Sequence, residues 1–299
     1  MSVNLPFVTI GIPAFNEEGN IRRLLKSLLS QKQDNFRLLK VLVISDHSDD
    51  NTDSEVAGLH HPLVTLISGR RRLGENARLN EILDHLPGKT DYLLILEADT
   101  LPKDRYFIHH LVRSVPSSRK FSLVVSQTYP APPVNWFNRI INFGFSLRIN
   151  IFKFAMSAPN LYLYTGARLF SRNFLKHFRW QEDLHEDSYC YRRAIMSGLP
   201  LVKSDSAAII YKSVDNLCDF LAQSSKFHKA RQKETSYSTI YSMRLDISKA
   251  ISIIWSSFLS QPLYFVTYVA LVLLSLIYTA FSPAYTPMWK IYKSTKKIK

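Results

Sequence analysis

Glu97 and Asp99, separated only by Ala98, close an apolar run that begins at Tyr92. Neighbouring acids repel one another and draw water, so stability gives no reason to set them at the tip of a buried strand. A hard divalent cation does give a reason. Mg2+ takes one or two carboxylates and completes its shell with phosphate oxygens and water. A second acidic pair, Glu186 and Asp187, opens a stretch that runs to Gly198 and reads alone as a helix start, where acids are favourable. A third cluster, Ser45 to Asp53, reads alone as a polar turn with capping residues.

The elements around these residues set their positions. Apolar runs over 7–13, 38–46, 62–68 and 91–99 read as strands. Between them lie helical patterns, with Ile21, Leu24, Leu25 and Leu28 on one face and Leu79, Ile82, Leu83 and Leu86 on another. Continuous apolar strands alternating with helices predict an α/β fold with a mostly parallel sheet covered on both faces. Such sheets bind ligands beyond the carboxyl ends of their strands, near a switch point. The polar clusters fall there: Phe15-Asn16-Glu17 after the first strand, Asp46 to Asp53 after the second, Glu97 and Asp99 after the fourth. No glycine-rich dinucleotide or P-loop signature is present, which removes the main support for those readings.

The chain has 299 residues, 46% apolar, with a formal net charge of +14. That excess points to anionic partners such as phosphorylated small molecules or anionic lipid; nucleic acid is not among the expected partners. Two cysteines build no disulfide framework and suit a reducing cytosol. The first ten residues lack the basic and apolar regions of a signal peptide. Residues 250–289 contain no Asp, Glu, Lys or Arg, and 262–281 is long enough to cross a bilayer as a helix. The segment 135–154 is aromatic, basic and amphipathic, fit for core packing or for a membrane surface.

Taken in order, the motifs resemble the family 2 glycosyltransferases of GT-A fold. Pro13-Ala14-Phe15-Asn16-Glu17 follows the first strand, Ser45 to Thr52 matches the acidic turn, and Gly74 to Asn80 matches a G-K-x-x-A-L-N helix. Glu97-Ala98-Asp99 matches the D-x-D strand end, and Glu186, Asp187, Arg193 and Gly198 match an E-D-x5-R-x4-G pattern. Gln223 to Phe227 is a degraded Q-x-x-R-W. The resemblance implies a GT-A fold, a Rossmann-like, mostly parallel sheet flanked by helices, followed by C-terminal interfacial or transmembrane helices. It implies that Pro13, Phe15, Asn16, Glu17, Asp46, Ser48, Arg78, Asn80, Glu97 and Ala98 bind a nucleotide-sugar. It assigns Mg2+ or Mn2+ to Asp99 with Glu97, base catalysis to Asp187 with Glu186 beside it, and the diphosphate or acceptor side to Gln223, Lys226 and Arg231.

Three departures stand out. Ser45 replaces the first acid of the turn. Glu75 replaces the usual lysine, leaving Arg71, Arg72 or Arg78 to supply the charge. Lys226-Phe227 in place of Arg-Trp argues against processive polymer synthesis. The expected organisation is a catalytic domain over 1–215, a helical acceptor and membrane-interface segment over 216–249, a membrane-embedded segment over 250–289 and a basic tail over 290–299. The expected activity is inverting hexosyl or N-acetylhexosaminyl transfer from a UDP-sugar, ahead of a GDP-sugar, to a glycan or lipid-linked acceptor. The enzyme would be membrane-associated, its catalytic domain cytoplasmic. The rivals are a non-catalytic membrane protein that keeps the fold for binding, and a sugar-phosphate nucleotidyltransferase.

Overall fold

The structure, a computed structural model, describes residues 5–155, 166–182, 184–235, 245–283 and 293–295, without the side chains of 231, 233–235 and 293. The strands are β1 (Phe7–Ala14), β2 (Arg37–Ser45), β3 (Val64–Ser68), β4 (Tyr92–Leu96), β5 (Thr100–Pro102), β6 (Leu123–Pro130), β7 (Ala167–Ser171) and β8 (Leu201–Tyr211). The helices are α1 (Ile21–Leu29), α2 (Thr52–Ala57), α3 (Glu75–Asp84), α4 (Phe107–Arg113), α5 (Trp136–Phe154), α6 (Arg172–Leu175), α7 (Glu186–Met196), α8 (Leu217–Thr235), α9 (Ile247–Ser260) and α10 (Pro262–Phe281).

One eight-stranded sheet runs in the order β3-β2-β1-β4-β7-β6-β8-β5. The four strands read from the sequence pair in parallel, as continuous apolar runs require. β7 enters antiparallel between β4 and β6, and β5 closes the far edge antiparallel to β8. The mostly parallel α/β sheet expected from the sequence is thus present. Chain order steps outward from β1 through β2 to β3, then returns to the other side of β1 at β4, which puts a switch point between β1 and β4.

Two apolar layers cover the sheet. Ile21, Leu24, Leu25 and Leu28 of α1 pack with Val8, Ile10, Ile12 and Leu94. Leu79, Ile82 and Leu83 of α3 pack on the opposite face with Leu42, Ile44, Leu93 and Phe170. A third apolar group lies apart from the sheet, where α5, α9 and α10 share a cluster around Ile140, Leu147 and Tyr268. The 135–154 segment therefore buries one face, with Asn138, Ile140, Ile141 and Gly144 inward, and leaves Trp136 and Phe154 exposed.

Candidate active site

The loops after β1 and β2 are laced together. Asn16 adopts a left-handed φ of 53°, which Asn tolerates better than most residues. Its backbone N–H donates to Ser48 Oγ at 3.1 Å, and Asp49 N–H donates to Asn16 Oδ1 at 3.0 Å. Its side-chain amide donates to the Asp49 carboxylate. Glu17 N–H donates to Thr52 Oγ1 at 2.7 Å, and Ser45 Oγ lies 3.0 Å from Ser48 Oγ. The serine that departs from the family pattern thus ties down the turn. Pro13 lies within β1, paired with Ile44 of β2, and Phe15 is buried beneath Arg72, whose guanidinium stacks 3.7 Å from its ring.

Asp46 is fully buried and its carboxylate is used by the protein itself. It accepts from Leu73 N at 2.7 Å, Gly74 N at 3.0 Å and Arg78 Nε at 2.8 Å. Arg78 also donates to Glu81 Oε2 and to the Arg71 carbonyl, each at 2.6 Å. It passes over Gly69, where any Cβ would meet the guanidinium. α3 then reaches across to the segment that leads into α7. Asn76 donates to the Gln181 and Leu184 carbonyls at 2.6 and 2.7 Å, and Asn80 exchanges two hydrogen bonds with the Trp180 backbone. Asp46, Arg78 and Asn80 thus brace the site in this structure.

The acids converge on that brace. Glu97 and Asp99 follow β4, with Glu97 N–H donating to the Gly166 carbonyl at 3.2 Å, and Ala98 is buried between them. Glu186 and Asp187 open α7. Glu75, at the start of α3, is nearly buried among them, and its pKa is pushed to about 8 by burial first and then by the charge of Glu186. Glu97 is pushed well above the ordinary carboxylate value by burial, Asp99 and Glu75. Burial alone would also raise Glu186, but His185, Arg168 and Lys226 outweigh it and hold that acid below its usual value.

The cations of the site come from two elements. Arg168, 2% exposed on β7, forms an ion pair with Asp187 and lies in the field of Glu186, Glu97 and Glu75. Lys226, on α8, acts on Glu75 and Glu186, and the neighbouring Phe227 ring lies 5.9 Å from the His185 ring. Gln223 is half-buried on α8; the Arg231 side chain falls outside the described residues. The cations facing Glu75 are thus Arg168 and Lys226. Arg78 goes to Asp46 and Glu81, and Arg72 to Phe15. Arg168 lies outside the motifs read from the sequence, although a lone arginine inside the apolar run Ala-Arg-Leu-Phe is a visible signal of a buried charge.

The donor set fits a hard divalent cation. It is all oxygen at the end of β4, where Glu97 lies in the field of Asp99, Glu75 and Glu186, a repulsion that a bound cation would relieve. His185, Glu186 and Asp187 form a further candidate group, with one ligand atom from each within 4.8 Å of the others.

Comparison with solved structures places the fold. The chain is similar to the mannosyltransferase PcManGT from Pyrobaculum calidifontis in complex with GDP-Man and Mn2+, at 19% identity, covering 94% of this chain and 77% of that one, with a TM-score of 0.58. It is similar to S. aureus TarS 1-349 in complex with UDP-GlcNAc, at 15% identity over 92% of this chain and 90% of that one, with a TM-score of 0.53. Glucosyl-3-phosphoglycerate synthase from Mycobacterium tuberculosis, with Mn2+, UDP and glucosyl-3-phosphoglycerate, aligns at 14% identity over 76% of this chain and 79% of that one, with a TM-score of 0.50. Comparison with curated sequences finds no match. The profile of Glycosyl transferase family 2 matches residues 9–179, more than half of the chain, from the first strand through β7 and its buried arginine. On that match the chain belongs to glycosyltransferase family 2.

Proposed function

We propose that the protein is an inverting, divalent-metal-dependent glycosyltransferase that works at a membrane surface. It moves a hexosyl or N-acetylhexosaminyl group from a nucleotide-diphosphate sugar to a hydroxyl of a glycan or lipid-linked acceptor. The observation that carries this reading is the convergence of Glu97 and Asp99 from β4 with Glu186 and Asp187 from α7 around two buried or half-buried cations. Asn16, Glu17 and Ser48, on the frame held by Asp46 and Arg78, face the base and ribose. Asp99 and Glu97 hold Mg2+ or Mn2+, which when bound neutralises the diphosphate charge. Asp187, held in place by Arg168, takes the proton from the acceptor hydroxyl as its oxygen bonds to the anomeric carbon. The bond from that carbon to the diphosphate breaks on the opposite face. Lys226, with Gln223 and Arg231 on the same helix, stabilises the charge of the departing diphosphate. A UDP-sugar is the donor proposed ahead of a GDP-sugar; both kinds of nucleotide occur in the similar structures.

The functional segments are 1–215 for catalysis, 216–249 for the acceptor and membrane interface, 250–289 for membrane attachment and 290–299 as a basic tail. The catalytic domain faces the cytoplasm in this reading, which suits free Cys190 and Cys218. One observation favours a non-catalytic binding protein instead: a carboxylate already paired with a guanidinium is less free to accept a proton. A hydrolysis screen of UDP- and GDP-sugars with Mn2+ on the full chain separates the two. Release of one nucleotide identifies the donor without an acceptor. Donor binding with no release from any donor, and no transfer to lipid extracts, would favour the binding protein.

A further inference from the structure

We infer that α10 does not cross the bilayer but lies in the plane of one leaflet, together with α9 and the outer face of α5. This rests on the membrane attachment proposed above. α10 has 20 residues and no charge, a length of about 30 Å that matches the hydrocarbon core. Only 17% of its apolar window is buried, so it is no core helix. Yet its inward stripe is docked on the α/β domain from one end to the other. Near its start the Tyr268 ring fills the space over Gly144 of α5, where a Cβ would lie 2.0 Å from a ring carbon. Midway, Leu271 joins the cluster of Ile141 and Phe220. At its end Ser282 Oγ lies 2.5 Å from Ser225 Oγ of α8, and Lys229 Nζ donates to the Ser282 and Pro283 carbonyls.

A helix standing across the bilayer would carry these partners in with it. α8 bears Asp219, Lys226 and Lys229, and α5 presents exposed Arg139 and Lys153. Each Lys or Arg at mid-membrane costs at least about 2.5 kcal/mol on the mildest scale. α8 is not released to spare them, because Lys226 faces Glu75 and Glu186 in the active site. α9 offers no second span, since 14 residues reach only about 21 Å.

The outward faces complete the picture. Leu263, Val266, Leu273 and Ile277 of α10 are exposed, as are Ile251 and Trp255 of α9. Exposed Trp136 and Phe154 mark the two ends of α5, beside its cations. An apolar face with an aromatic and basic margin, on a chain of net charge +14, complements an anionic leaflet. The helix that brings Lys226 to the acids is also the one on which α10 rests, so the site is held at a set height above the lipid.

The test uses the full chain in sealed inside-out membrane vesicles, with Cys218→Ser to clear the exposed native thiol. Single cysteines replace Gln261, which caps the start of α10, and Phe281, its last residue. A membrane-impermeant maleimide added outside should label both to a similar extent; labelling of only one end would overturn the in-plane arrangement. Nitroxides at Leu263, Leu273 and Phe281 should report one common shallow depth, and a maximum at Leu273 would also overturn it. Full-length protein absent from the membrane fraction would instead sink membrane attachment itself. A dimer in that soluble protein would then assign the apolar face to a second copy.

Discussion

Glu75 stands where the family pattern carries a lysine, and the positive charge facing it comes from Lys226 of α8 and Arg168 of β7. The exchange leaves a crowd of acids around these two cations. Its consequence is a pH dependence of known sign. A folded-state pKa of about 8 for Glu75, against 4.5 ordinarily, means the native state holds a proton that the unfolded chain releases. Its stabilising contribution is complete below about pH 4.5 and is lost as pH rises through about 8. Metal-free protein should therefore be less stable at pH 8.5 than at pH 6, by on the order of a few kcal/mol at most, and melt at a lower temperature. Glu75→Gln should flatten that slope in a melting series, and a slope unchanged by the substitution would contradict the assignment. Arg168→Met leaves Asp187 without its partner, and breaking a buried pair costs about 3–5 kcal/mol. The same variant should lose transfer activity even at low temperature, where it stays folded. Asp187→Asn should cut transfer by at least about 100-fold while leaving donor affinity nearly intact. Asp99→Asn should weaken donor and Mn2+ binding together in calorimetry, which distinguishes the two acids. Asp183, outside the described residues, serves as the control and its Asn variant should stay active.

At the scale of elements, the loops after β1 and β2 and the start of α3 behave as one braced unit. Asp46 is its pin, with two backbone donors and a buried guanidinium on one carboxylate. Asp46→Ala orphans all three and should cost about 3–5 kcal/mol in denaturant unfolding. A loss confined to nucleotide affinity, with stability unchanged, would make Asp46 a ligand contact alone. The junction of α5 with α10 is as specific. Gly144→Leu drives a side chain into the Tyr268 ring and should destabilise by about 1–3 kcal/mol. Tyr268→Ala in the same chain should recover part of that loss, because it reopens the space.

For the whole molecule, the sheet, the acid site and the apolar helices form one continuous body through α8. Ending the chain at Lys249 would remove α10 and uncover Ile140 and Leu147 on α5. The shortened protein should therefore keep a weaker, salt-sensitive hold on vesicles rather than become freely soluble, which flotation at low and high salt would measure. The sequence by itself determined the four parallel strands and two of the three helices of the first hundred residues, missing the short α2, together with the strand-end acids, the acidic pair of α7 and the apolar run 262–281 that forms α10. Those features are local: apolar period, a polar stop and a short spacing are written in consecutive residues. Only the tertiary structure decided that Lys226 and Arg168 face Glu75, that Asp46, Arg78 and Asn80 brace the site, and which face of α10 is covered. Each depends on groups far apart in the chain brought together by strand order, and a buried charge shows its partner only once burial has removed the water that would otherwise screen it.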